Sequence, residues 1–300
     1  MFEKILPLII IFLIGLLLRK LKVLELQDSQ VIGKLLTNLV LPAVVFKSLY
    51  TAQIEANLIY LPVAGLSVIL SLTLIIVFSL RLFKLERIRK GSLIITFSSW
   101  ETGGIGFPFM LLAFGELGVS RIVLFDLAQV VFLFTVINFI ACQFGQSKFQ
   151  LKDGLVTLFK TPVIWAIILA LFLKLFEFND SLLLSVLTPL ENSFLFLILI
   201  LLSLKVNFQL SSFKLCLIIT LAKTFCGIAL GSLAAMIFGF TGVERAAIIV
   251  GSSMPPSMLT LIFSEKNNLD TKLVANLLSV SLPFSCVFLT IFLRLFLTSS

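Results

Sequence analysis

Histidine is missing from all 300 residues. That removes imidazole metal ligation and every histidine-dependent catalytic triad. Charge is scarce as well: Asp, Glu, Lys and Arg make up 13% of the chain against 59% hydrophobic residues, and the mean hydropathy is +1.17. A soluble domain could not hide so much apolar surface, so the solvent for most of the chain is lipid. Cysteine is limited to Cys142, Cys216, Cys226 and Cys286, in or beside apolar stretches and with no CxxC pair. They read as small buried thiols rather than a redox or metal centre, and no cofactor is expected. Nothing alternates with the period of two that a membrane barrel needs. What remains is an all-α, polytopic membrane protein.

On a ruler of roughly 20 apolar residues per crossing, ten transmembrane helices are expected, at about 2–18, 31–50, 58–80, 91–115, 121–144, 162–178, 182–204, 215–240, 244–264 and 272–297. The opening "MFEKILPLIIIFLIGLLLRK" reads as the first of them rather than as a signal peptide, because its basic cluster follows the apolar run and no small-residue cleavage site appears. With both termini outside, the short inner loops hold most of the basic residues, among them Arg19, Lys20, Lys22, Arg81, Lys84, Arg87, Arg89 and Lys90. The net charge of +8 is therefore a topology signal, and no nucleic-acid partner is expected. The partners implied are the lipid bilayer and a small-molecule substrate, and the location is the plasma (inner) membrane.

Ten spans divide as 5+5, into 1–147 and 148–300, and an odd number per half inverts the second repeat. Weak punctuation matches between the halves: Pro42 with Pro189, and "SSWETGGIGFP" in span four with "GSSMPPSMLTL" in span nine. Gly103, Gly104 and Gly106 loosen the backbone of span four, and Pro108 removes a donor from it. Pro255 and Pro256 remove two donors from span nine. Both helices should therefore break, and broken backbone is tolerated in a membrane only where protein or a water-filled cavity covers it. Paired breaks in equivalent positions of two repeats point to a transport site. The alternative is a pair of proline kinks that serve packing alone.

The substrate-binding candidates follow: Ser99, Glu101, Thr102, Gly103, Gly104 and Pro108 in one break, Ser252, Ser253, Pro255 and Pro256 in the other, and Asn38 beside Pro42 in span two. Glu101 is the sharpest of them. An acid at this depth can carry a proton between two faces of the membrane, ligate a small cation, or simply hydrogen-bond a broken turn. Lys223, Gly227, Gly231 and Ala235 recur every four residues of span eight and form one face of small side chains, which turns the ammonium toward protein as a candidate counter-charge. Asp126 and Gln129 share a face of span five and complete the coupling candidates, although an ordinary interfacial carboxylate explains Asp126 nearly as well.

Four stretches resemble the auxin efflux carrier family, which includes plant PIN carriers and bacterial malate and malonate permeases. They are "LLTNLVLPAVVFKSL" (35–49), the glycine-rich stretch 98–109, "LFDLAQVVFLFTV" (124–136) and "SSMPPSMLTLIFSEKNNLD" (252–270). The resemblance covers the whole chain. It implies a scaffold of helices 1, 2, 6 and 7, a transport part of helices 3–5 and 8–10, broken helices 4 and 9 crossing beside the substrate, and a homodimer. It further implies a secondary active transporter that moves a small organic anion, such as malate or an auxin-like acid, by alternating access, with H+ or Na+ as the coupling ion. Many members carry Asn-x-Gly where this chain has Glu101-Thr102-Gly103, so an anionic substrate requires Glu101 to be protonated or neutralised. A sodium-coupled carrier of a neutral or cationic solute, and a channel of the same topology, are the other readings. An intramembrane hydrolase is disfavoured because no two intramembrane acids share a helix face.

Overall fold

In the stretch 60–79 apolar residues occupy every side of the helix, and the two sides meet different surroundings. Leu61, Ala64, Gly65, Val68, Leu72 and Ile76 are buried against protein, while Leu66, Leu70, Leu74 and Phe78 are exposed. A helix that is apolar all round and half exposed faces lipid on its outer side. The same pattern recurs along the chain and accounts for a structure built from helices.

The computed structural model describes residues 2–53, 56–146, 151–176, 180–205 and 213–298. In chain order its helices begin with α1 (Phe2–Lys20), α2 (Asp28–Leu35), α3 (Leu41–Thr51), α4 (Tyr60–Ser79) and α5 (Arg87–Phe97). There follow α6 (Phe107–Phe132), α7 (Asn138–Phe144), α8 (Leu151–Phe159), α9 (Pro162–Leu175) and α10 (Ser181–Lys205). The last are α11 (Phe213–Ile237), α12 (Gly242–Ser253), α13 (Leu259–Lys266) and α14 (Thr271–Thr298). Among the described residues every long element is helical, and π-helical turns lie at Leu36–Val40, Thr102–Gly106 and Leu133–Ile137. Among the described residues five stretches are long and apolar enough to cross a membrane: Asp28–Thr51, Asn57–Leu82, Arg87–Phe144, Ser181–Leu204 and Phe213–Ile237. Arg87–Phe144 runs for 58 residues and takes in both spans expected between 91 and 144. No loop separates those two spans. The turn between them is a kink inside α6 at Gly115, whose φ of 63° and ψ of −154° only glycine adopts freely. The thiols of Cys142, Cys216 and Cys226 are unbridged, and the Cys286 side chain lies outside the described residues.

The helices gather into two units. The first comprises 1–54, 107–120 and 159–207. In it α1 packs on α10, and α3 packs on both α9 and α10. Its interior holds a cluster of charge. The Lys47 ammonium donates to Glu191 at 2.5 Å and lies 2.9 Å from the Glu116 carboxylate, which also accepts the Thr51 hydroxyl at 2.7 Å. Lys47 and Glu191 are both buried. Removing one member of such a pair strands the other in a low dielectric, which costs about 3–5 kcal/mol, whereas replacing both by apolar groups is close to neutral. Lys47→Met should therefore lower the thermal unfolding midpoint in detergent sharply, and Lys47→Met combined with Glu191→Leu should recover most of the loss. A double variant that melts as low as the single would show that the pair is not what stabilises this unit.

The second unit comprises 55–106, 121–158 and 208–300. α11 is its central element, packed on α4, α12 and α14. The small residues expected on one face of this helix are buried, and they face α12. A Cβ placed on Gly227 would stand 2.1 Å from the Ser252 carbonyl oxygen, and one on Gly231 would stand 2.2 Å from the Ser252 hydroxyl. Glycine is required at Gly227 for the two backbones to come this close, and at Gly231 its small size leaves room for the Ser252 hydroxyl.

Candidate functional site

The second unit contains both of the expected interruptions. α5 stops at Phe97 and regular structure resumes at Thr102. Gly103, Gly104 and Gly106 lie inside the π-helical turn Thr102–Gly106, and Pro108 sits at the second position of α6, so the first break falls at 98–101, just before the residues expected to carry it. α12 stops at Ser253 and α13 starts at Leu259. Met254 is extended (φ −59°, ψ 155°), as expected of a residue held out of the helical region by the proline that follows it.

The two breaks satisfy one another. The Glu101 N–H donates to the Pro255 carbonyl at 2.9 Å, and the Met258 N–H donates to the Glu101 carboxylate at 2.8 Å. The Gly104 N–H donates to the other oxygen of that carboxylate at 3.0 Å, and the Ser257 N–H donates to the Ser99 hydroxyl at 3.3 Å. Backbone groups released from two helices thus find partners across the junction. Glu101, Gly103 and Gly104 are partly exposed, whereas Ser99, Thr102, Ser252, Ser253, Pro255 and Pro256 are buried. Ser252 and Ser253 turn their hydroxyls back onto Ile248 and Val250 of α12. They pack the end of the helix and leave the junction bonds to the backbone.

Asp126 and Gln129 prove to be the clamp of the first break. Gln129 accepts the Trp100 N–H at 2.6 Å and donates to the Trp100 carbonyl at 2.7 Å, so its amide takes both backbone positions of that residue. Asp126 accepts the Trp100 indole N–H at 2.8 Å and hydrogen-bonds the Thr102 side chain. The Trp100 ring stacks on Phe125 with centroids 5.2 Å apart. Asp126 and Gln129 are both buried, so Asp126 is not a solvated carboxylate. Trp100 escaped the sequence reading although it stands within the quoted motif. The available signal was a tryptophan, with its own polar N–H, placed in a break that already held an acid.

Lys223 meets the second break. It is buried, and its ammonium donates to the Met254 carbonyl at 3.0 Å. It makes no ion pair among the described residues. The counter-charge expected of it is therefore delivered to a freed carbonyl and not to a carboxylate. Pro108 and Asn38 belong to the first unit. Asn38 is exposed in the π turn before α3, and its amide donates to the Lys34 carbonyl at 2.8 Å. Also missed were Arg121 and Glu244, which pair at 2.6 Å and join α6 to the start of α12.

These features define a multi-pass helical membrane protein with a polar, backbone-lined junction in its second unit. The chain belongs to the membrane transport protein family, the auxin efflux carrier family of its motifs, whose model matches residues 1–293. It is 25% identical over 295 residues to an uncharacterized transporter of Methanocaldococcus jannaschii, covering 94% of each chain. An uncharacterized transporter of Methanothermobacter thermautotrophicus is 23% identical over 300 residues, which is 98% of this chain and 94% of that one. The family's role is transport, not enzymatic catalysis.

Proposed function

We propose that the protein is a secondary active transporter that moves a small organic anion, a carboxylate of the malate or auxin-like class, across the plasma membrane by alternating access with proton coupling. The observation that carries this reading is the mutual hydrogen bonding of the two breaks through Glu101, Ser99, Pro255 and Met258. Freed backbone N–H groups in a water-poor setting favour a negative charge. Glu101, partly exposed among them, is the group able to take up and release a proton as the site faces one side and then the other. In this reading the chain crosses the membrane ten times, its halves 1–147 and 148–300 form inverted repeats, both termini lie outside, and two copies make a dimer. The grouping of 55–106, 121–158 and 208–300 into one unit supports a transport part drawn from helices 3–5 and 8–10.

A second reading is favoured by the carboxylate itself, since an acid in the junction also suits a sodium-coupled carrier of a neutral or cationic solute. Purified protein in liposomes, offered a panel of labelled carboxylates under imposed pH or sodium gradients, separates the two. The proposal expects saturable carboxylate uptake driven by a pH gradient. Uptake driven by sodium alone, or no carboxylate uptake at all, would overturn it.

A further inference from the structure

We infer that the Glu101 carboxylate is a tethered anion occupying a seat made of two backbone amides, and that this occupancy controls entry of a solute carboxylate into the junction. The second half of the inference rests on the transport reading above, but the seat itself does not. One carboxylate oxygen takes the Met258 N–H at 2.8 Å and the other takes the Gly104 N–H at 3.0 Å. The donors come from either side of the junction, so they form one two-point donor site of the width of a single carboxylate. Gly104 leaves room for it, since a Cβ there would stand 3.2 Å from the nearer carboxylate oxygen.

The seat should survive loss of the side chain, because the backbone around it is held by other bonds. The Glu101 N–H on Pro255, the Ser257 N–H on Ser99 and the Gln129 amide on Trp100 all persist when the carboxylate is removed. A second observation in the same break points to unmet polar capacity: the Ser98 hydroxyl is fully buried and has no hydrogen-bond partner in this structure. Two amides of different segments left empty at this depth would carry a desolvation penalty that any small carboxylate can relieve. The consequence for specificity is direct. A solute carboxylate and Glu101 compete for the same two donors, so the chain's own acid must leave them before an anion can take its place.

Glu101→Ala removes the Cγ methylene and the carboxylate, a fragment that acetate matches in size and charge. The probe is sodium acetate added to purified protein in detergent, at constant ionic strength and sodium, with chloride as control and the unfolding midpoint as readout. Acetate is expected to restore most of the midpoint that Glu101→Ala loses, formate to restore less, and chloride nothing. Wild type, whose own carboxylate fills the seat, should not respond, and Glu101→Gln, which leaves an uncharged side chain with a single acceptor oxygen in the same space, should respond less than Glu101→Ala. An absent acetate effect on Glu101→Ala, an equal effect on wild type, or failure of Glu101→Ala to be recovered even when purified in acetate would each overturn the inference. The assay involves no transport, so acetate rescue without carboxylate uptake in liposomes would leave the seat standing and remove only the transport reading.

Discussion

Glu101→Gln is expected to abolish net carboxylate movement driven by a pH gradient while exchange of solute for solute persists. A glutamine keeps the shape of a protonated glutamate but neither takes up nor releases a proton. Its side chain cannot serve both amide donors as acceptors, so the charged competitor is gone and solute binding survives. Coupling is a difference in proton affinity between the two faces of the cycle, and each 1.4 kcal/mol of that difference corresponds to about tenfold in occupancy. With the proton carrier removed, the driven flux should fall by about tenfold or more. Paired measurements in proteoliposomes, pH-driven uptake and counterflow, check both halves. Full pH-driven uptake in Glu101→Gln would dismiss Glu101 as the coupling group. Loss of counterflow together with uptake would make it a ligand for the solute instead.

The second large effect is expected at Gly227. Replacing it with leucine places a Cβ 2.1 Å from the Ser252 carbonyl oxygen and 2.7 Å from that carbonyl's carbon, and both are backbone atoms that cannot rotate away. α11 and α12 must separate. Overpacking of a tight contact costs typically about 1–3 kcal/mol. The separation also pulls the Lys223 ammonium off the Met254 carbonyl, a charged hydrogen bond worth about 1.5–3 kcal/mol. We expect Gly227→Leu to lower the unfolding midpoint and to eliminate uptake in whatever folded protein remains. Leu233→Ala, on an exposed position of the same helix, should change neither. Normal uptake by Gly227→Leu would show that the α11–α12 contact does not set the geometry of the second break.

What could be read from the sequence was local. Pro255 and Pro256 mark the second interruption where it occurs, and Gly103, Gly104, Gly106 and Pro108 mark only the neighbourhood of the first, which falls at 98–101 while they themselves are helical. The face of Lys223, Gly227, Gly231 and Ala235 could be read from the helical repeat alone. Partners across the fold could not. Nothing in the spacing couples Lys47 to Glu191, 144 residues away, or the Trp100 backbone to Gln129, 29 residues away. Each of those side chains has an innocent local reading as a loop-end charge or a core residue. Asp126 reads from sequence as a coupling candidate or, nearly as well, as an ordinary interfacial carboxylate, because it stands near the end of an apolar run. The structure buries it against the first break, where it accepts the Trp100 indole N–H. Gly115 followed by Glu116 in an apolar stretch reads as a loop, and only the backbone angles distinguish a loop from the kink inside α6.

The central claim is that the two breaks together form the path of the solute. Tying them to each other is the most direct way to test it. In a background lacking the four native cysteines, Ser99→Cys and Ser257→Cys can be combined, since the Ser257 N–H already reaches the Ser99 side chain. A short thiol-reactive cross-linker then fastens one break to the other, and counterflow of a labelled dicarboxylate is measured in proteoliposomes before treatment, after it, and after cleavage of the link. The account predicts an overshoot before cross-linking, its loss when the link forms, and its return on cleavage. An overshoot that persists undiminished in protein shown to be fully cross-linked would contradict it.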